Sequence, residues 1–433
     1  MQKDNPNIVV IICHDLGQHL GCYGVPGVRS ANIDKFAAGS LRFENSFCTA
    51  PQCSPSRAAL WTGRYPHATG VIGLTHGLHA NDLNPGEKHL AQILRANGYE
   101  THLFGVQHEA RNPERCGHEL IHRGRVCARI ADDFASFLSG RKCDGRPLFA
   151  QVGFFEPHRP FPHDDTAARP PDKIAIPPYL PDLPAVRRDF TEFEASIASV
   201  DLAFGQVTDL IRASPIADNT IIIFTADHGI PFPHAKMTLY DPGLEVPLII
   251  SMPGGPKGLV RPEMISNVDV TPTLLDILSI PNPNVMHGRS FKGLLTGQAY
   301  VPNKTIFGEK TYHIYYDPMR CVRTEKWKLV ANFECAPGQE IPPDPINSKC
   351  FMDAAGAAET PVYHPPLELY DLESDPHELV NLADRPEHAQ TRNELARLLY
   401  RWMAETQDPL LHGPVAQGAY YDRMKMFTAI GQA

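Results

Sequence analysis

Residues 8–12 (Ile-Val-Val-Ile-Ile) form an unbroken apolar, β-branched run. A short run of this kind predicts a strand buried on both faces. Stretches at 99–104, 148–154, 220–225 and 248–251 predict further strands. Between them the apolar period lengthens. Leu90, Ile93 and Leu94 predict a helix closed by Asn97-Gly98. Phe193, Ile197, Val200, Phe204, Val207 and Ile211 mark one face of a long helix, with Thr191 and Glu194 as a capping box at its start. Strand and helix alternate, which predicts an α/β fold with a large, mostly parallel sheet sandwiched by helices.

Past residue 310 the pattern changes. Residues 323–330 and 367–372 predict strands bordered by polar turns, with a loop containing Pro and Cys at about 333–366 between them. Leu395, Leu398, Leu399, Trp402 and Met403 mark a terminal helix. The expected organisation is a catalytic α/β domain over 1–310 and a smaller α+β subdomain over 311–433.

Composition narrows this little. A chain of 433 residues suffices for one large domain with a smaller companion. A net charge of -9 argues against a nucleic-acid surface. Forty-one prolines predict many rigid surface loops, of the kind that build sites. No apolar run is long enough to span a bilayer, and no leader is visible at residues 1–6, so cytoplasmic and periplasmic or exported placements both stay open. Ten cysteines at irregular spacing, with no Cys-x-x-Cys, argue against a zinc ribbon; without an export signal, reduced thiols are expected.

The polar residues that change the picture lie where strands end. His14 and Asp15 follow the first strand. Gly105-Val106-Gln107-His108 follow the second, Glu156-Pro157-His158-Arg159-Pro160 the third, and Asp227-His228-Gly229 the fourth. Lys236 lies in the next loop. One histidine after a strand is more often an ordinary turn residue, and so is an isolated Asp-His-Gly. Five such clusters on one edge of one sheet point to a site, because ligands of open α/β sheets bind past the carboxyl ends of strands.

Residues 48–57, Cys-Thr-Ala-Pro-Gln-Cys-Ser-Pro-Ser-Arg, place Cys53 just ahead of a predicted helix, with Ser54 or Ser56 as N-cap and Pro55 in the first turn. A helix N-terminus favours developing negative charge, and Arg57 lies one turn on. The Cys53-x-Pro55-Ser56-Arg57 spacing, followed by Leu60, Thr62 and Gly63, resembles the signature of the type I sulfatases, of the alkaline-phosphatase-like superfamily. Ala31-Asn32-Ile33-Asp34, Leu369-Tyr370-Asp371-Leu372 and Asp375-Pro376-x-Glu378 extend the likeness. Gly73-Leu74-x-His76, the run from Phe224 to Pro233, Leu239-Tyr240-x-Pro242-Gly243 and Tyr315-Tyr316-x-Pro318-Met319-Arg320 are similar to the N-sulfoglucosamine sulfohydrolase (sulfamidase) branch.

The resemblance implies that Cys53 is oxidised to formylglycine by a formylglycine-generating enzyme or an anaerobic maturase. The aldehyde hydrate would attack sulfur in a sulfate ester or N-sulfate, on a sugar or glycan fragment. It implies one divalent cation, generally calcium, at His14, Asp15, Asp227 and His228. Arg57 would steady that group, His108 would assist release of sulfate, and His158 and Lys236 would grip sulfate and protonate the leaving atom. His76, Gln107 and Arg159 are the expected substrate contacts, and a homodimer is a family expectation. Three departures stand out. His14-Asp15 replaces an acidic pair, His228 stands where sulfamidases carry Asn, and Val106 replaces the lysine of Gly-Lys-x-His. Imidazole suits manganese, zinc or iron better than calcium. Two alternatives follow: a phosphonate monoester or phosphodiester hydrolase using the same formylglycine site, and an inactive binding-only relative.

Overall fold

The structure, a computed structural model, describes residues 5–76, 79–141, 145–161, 168–283, 285–335 and 363–431. Fourteen strands are described, in chain order β1 (Asn7–Cys13), β2 (Leu41–Phe43), β3 (Ser46–Phe47), β4 (Glu100–Gly105), β5 (Leu120–His122), β6 (Leu148–Gly153), β7 (Thr220–Ala226), β8 (Leu248–Ser251), β9 (Leu259–Arg261), β10 (Ile265–Ser266), β11 (Ile306–Tyr312), β12 (Tyr316–Arg323), β13 (Trp327–Asn332) and β14 (Leu367–Asp371). Eight make one sheet in the order β5-β4-β6-β1-β7-β8-β2-β9. Only β8 runs antiparallel to its neighbours.

The unbroken apolar run of β1 has a direct cause. Val9 and Ile11 point into one core, against Phe193 and Phe204 of the helix Pro184–Arg212. Ile8, Val10 and Ile12 point into the other, against Trp61 and Leu274. Side chains alternate across a strand, so a sheet covered on both faces needs apolar residues at every position. All seven residues of β1 and all seven of β7 are buried, and the two pair in parallel along their whole length.

β11–β14 form an antiparallel sheet. The helix Ala389–Glu405 lays Leu395, Leu399, Trp402 and Met403 on Val322, Leu329 and Leu369 of that sheet, with Tyr65 and Val268 of the larger layer in the same cluster. The boundary expected at 310/311 falls inside β11, Ile306–Tyr312.

Three local expectations are corrected, and one helix is additional. The long helix begins at Pro184, seven residues before Thr191. Proline suits the first turn, and the Thr191 hydroxyl donates to the Arg187 carbonyl at 2.9 Å inside the helix instead of capping it. Residues 323–330 are not one strand: Arg323 ends β12 and Trp327 opens β13. Thr324 makes the turn, accepting the Trp327 N–H on its hydroxyl at 2.9 Å. The helix Cys53–Thr62 starts at Cys53 itself after an extended Gln52, with neither serine capping it. The helix Gly418–Gly431 was not anticipated, because its apolar residues Tyr420, Tyr421, Met424 and Phe427 are exposed and mark no core-facing stripe. Residues 336–362 of the expected loop lie outside the described residues.

Candidate active site

β1 and β7 are adjacent, so their carboxyl ends deliver His14-Asp15 and Asp227-His228 to one place. All four side chains are buried. Asp227 organises them. Its Oδ1 accepts the Asp15 and His228 backbone N–H groups, both at 2.9 Å. Its Oδ2 lies 2.9 Å from His14 Nδ1 and accepts Arg57 Nε–H at 3.0 Å. Asp15 takes a left-handed backbone (φ 50), which for a non-glycine residue needs support from its surroundings. Its Oδ2 accepts Lys236 Nζ–H at 2.8 Å, and its Oδ1 lies 3.0 Å from His228 Nε2.

Burial would raise both carboxyls, but the cations around them win. Lys236, His158 and His228 hold Asp15 well below the usual carboxylate range. His14, His228 and Arg57 do the same for Asp227. Burial alone would lower His228; the Asp227 and Asp15 carboxylates push it up to about 10. Two ionised carboxylates buried together call for compensating positive charge.

Whether these residues suit a divalent cation can be tested on their hydrogen bonds. His228 Nδ1 lies 3.0 Å from the Gly229 carbonyl, an arrangement that turns Nε2 toward Asp15. His14 Nε2, Asp15 Oδ1 and His228 Nε2 are buried without a well-formed hydrogen bond. The donor atoms of Asp15, Asp227 and His228 lie within 4.8 Å of one another. Buried donors of this kind that converge unsatisfied fit a cation. His14 is the bridge: it groups with Asp15 and His158 on one side and with Cys53 and His108 on the other.

Cys53, 3% exposed, opens its helix on the floor of a cavity of about 900 Å³. His76, Val106, His108, His158, Arg159 and Lys236 line the same cavity. Ser56 donates to the Asp227 carbonyl and Arg57 to Asp227 Oδ2, so one helix carries Cys53 and braces the acid beneath it. His108 follows β4; burial, then the His14 and Arg57 charges, hold its imidazole well below its ordinary value. His158 Nε2 lies 3.5 Å from Lys236 Nζ.

Two expected substrate contacts line the cavities and also hold partners within the protein. The Arg159 guanidinium is buried and grips Asp189 of the long helix through two hydrogen bonds, one of 2.6 Å. Gln107 closes its own loop, its amide bonding Ala110 N–H and C=O at 3.0 and 2.9 Å. His76 stays in the cavity wall, its ring 5.2 Å from that of His108.

Other participants carried no signal in the chain. Glu109 accepts the His108 backbone N–H on Oε2 and Gln151 Nε2–H on Oε1, fixing the histidine from behind. His89, Glu109 and Cys116 are also close together. His89 Nδ1 accepts the Ala91 N–H, its Nε2 faces Glu109 at 3.4 Å, and the Cys116 thiol donates to Glu109 Oε1. His313, Gln417 and Arg423, from the smaller sheet's turn and the last helix, line the Cys53 cavity, and so does Arg125. Long sequence separation hides the first three, and a loop position without a pattern hides the fourth.

The Sulfatase family model matches residues 6–280, and the model for the N-sulphoglucosamine sulphohydrolase C-terminal region matches residues 228–342. Human N-sulphoglucosamine sulphohydrolase is 31% identical, over 94% of this chain and 92% of that protein. Among solved structures, a putative sulfatase from Bacteroides thetaiotaomicron has a TM-score of 0.74 at 22% identity, covering 94% of each chain. The phosphonate monoester hydrolase of Agrobacterium radiobacter has a TM-score of 0.75 at 20% identity, covering 95% of this chain and 100% of that one.

Proposed function

This chain belongs to the sulfatase family, hydrolases of sulfate esters and sulfamates, and from that premise we propose that it removes sulfate from an oxygen or nitrogen of a sugar, with residue 53 as formylglycine and a divalent cation between His14, Asp15, Asp227 and His228. One observation carries the reading. A single cavity combines Cys53, His108, His158 and Lys236, and Lys236 ties it to the buried Asp15–Asp227–His228 group.

The matured residue 53 supplies a hydrated aldehyde as nucleophile, and the cation supplies positive charge against the sulfuryl oxygens. Mixed imidazole and carboxylate donors suit manganese, zinc or iron better than calcium. The chain's own side chains do the rest. Arg57 holds Asp227 in place at 3.0 Å. Lys236 presents its ammonium to the sulfuryl group. The S–O or S–N bond breaks only if the leaving atom receives a proton, since an alkoxide or amide anion leaves poorly. His158 and Lys236, 3.5 Å apart, stand together to deliver it. His108, grouped with Cys53 and His14, takes the hydroxyl proton at residue 53. In balance, water gives hydroxyl to sulfur and a proton to the leaving atom.

A second reading, phosphonate monoester hydrolysis, is favoured by one feature. His228 lies inside the donor cluster, 3.0 Å from Asp15, and not beside it. The deciding experiment offers protein supplemented with calcium, manganese or zinc three substrates: glucosamine N-sulfate, an aryl sulfate and an aryl phosphonate monoester. The peptide containing residue 53 is weighed from the same sample. Sulfate or sulfamate hydrolysis with an aldehyde at 53 is expected. Preference for the phosphonate moves the assignment to the second reading, and matured protein that cleaves none of the three overturns both.

A further inference from the structure

We propose that the substrate carries a second anionic group, a sulfate or carboxylate beside the one removed, and that Arg125, flanked by Arg123 and Arg111, holds it in a side cavity adjoining the Cys53 cavity. Which group reacts rests on the sulfatase reading above; the binding of the second does not.

The side cavity measures about 510 Å³. It shares His76, Val106, His108 and Arg125 with the Cys53 cavity, so the two adjoin. The chain is acidic overall, at -9, yet among the described residues no carboxylate lines either cavity. Arg111, Arg123 and Arg125 line the side cavity. Walls of one sign concentrate the field and attract the opposite charge.

Most of these cations already have a partner. Lys236 meets Asp15 at 2.8 Å, Arg159 meets Asp189, Arg111 lies 3.4 Å from Asp422, and Arg123 lies 3.1 Å from Glu114. Arg125 and Arg423 differ, making no ion pair among the described residues, and of the two Arg125 is the one that also lines the side cavity. Its guanidinium lies over the Phe155 ring, 4.1 Å from the centroid. An exposed arginine alone is usually a solvated one. Stacking fixes the plane of this one and leaves its N–H edge open for a planar or tetrahedral oxyanion.

The placement fits a second group and not the reacting one. Phe155, which carries Arg125, also packs on His14 at 5.5 Å and His158 at 4.7 Å. Arg125 therefore touches an aromatic ring that itself touches the reacting centre. Val106 lies in the wall common to both cavities, so the junction is uncharged at that point while arginines line the space beyond it.

The test needs no turnover. Cys53→Ala protein is titrated calorimetrically with glucosamine 2-N-sulfate, with glucosamine 2-N,6-O-disulfate, and with a disaccharide whose uronate adds a carboxylate. At least one doubly charged ligand is expected to bind tenfold or more tighter than the monosulfate, and which one does so distinguishes sulfate from carboxylate. Adding Arg125→Gln is expected to bring that ratio to within about twofold of unity, with an unchanged melting temperature because the side chain is exposed. Equal affinities for all three ligands, or a ratio that survives Arg125→Gln, overturn the proposal. If the ratio behaves as expected but native protein hydrolyses neither sulfate, the subsite stands and the sulfatase reading falls.

Discussion

Arg57 and Arg159 are both buried arginines facing a carboxylate, yet they belong to different parts of the molecule's work. Arg57 grips Asp227 within the proposed cation site, whereas Arg159 grips Asp189 on the long helix beneath the cavity. Breaking a buried ion pair from one side leaves a charge uncompensated and costs about 3–5 kcal/mol. Arg159→Met is accordingly expected to lower unfolding stability by about that amount, with KM changed less than about threefold. A large rise in KM at unchanged stability would place Arg159 on the substrate. Asp227→Asn is expected to lose bound cation and activity together, measured by elemental analysis and turnover; full occupancy in that variant would remove Asp227 from the ligand set. Cys53→Ala is expected to abolish turnover while keeping the wild-type melting temperature, and near-normal activity would end the formylglycine assignment.

Elements place these residues through close backbone approaches that side chains would block. A Cβ on Gly229, directly after the Asp227-His228 pair, would lie 1.8 Å from the Pro242 carbonyl oxygen. Gly229→Ala must therefore shift one of those two loops and is expected to weaken cation affinity at least tenfold, read by titration against a chelator. At Gly418 a Cβ would lie 2.1 Å from the Ala80 carbonyl oxygen. Gly418→Val is expected to lift the last helix, with Arg423, away from the cavity, raising KM more than it lowers the melting temperature. The strands β1 and β7 were legible because two-sided burial forces unbroken apolar runs. The polar residues at their ends stood out because strand ends in such sheets hold ligands, and the structure brings them together. Thr191 misled because a threonine inside a helix satisfies its hydroxyl on the preceding turn and looks like a cap in sequence. The turn at Thr324 was hidden because the residues on both sides of it have strand character. Arg125 and Arg423 were invisible because charged residues on a loop and on an exposed helix follow no period.

Across the whole molecule, the seam between the large layer and the small sheet is aromatic. Tyr65 and His287 stack at 5.3 Å, and Tyr65 meets Trp402 edge-on at 4.8 Å. His287 Nδ1 accepts the Tyr65 backbone N–H at 3.0 Å, which requires that nitrogen unprotonated. Burial, then the Arg64 and His67 charges, lower His287 from 6.5 to about 4. The folded state then binds fewer protons than the unfolded chain between those values, so this contribution to stability is present above about 6.5 and lost as pH falls toward about 4. The stability gap between wild type and His287→Asn is expected to narrow across that window, followed by denaturant unfolding; a constant gap would mean that His287 titrates normally. The deepest consequence comes from the helix that bears residue 53. All ten of its residues are buried, so another protein cannot grasp that thiol once the chain has closed around it. If residue 53 is the proposed formylglycine, its oxidation and folding are rivals in time. Competence would then be decided during synthesis, and a molecule that folds first would carry an intact thiol for life. On that proposal, slowing translation, not incubating finished protein with a maturing enzyme, would raise the active fraction.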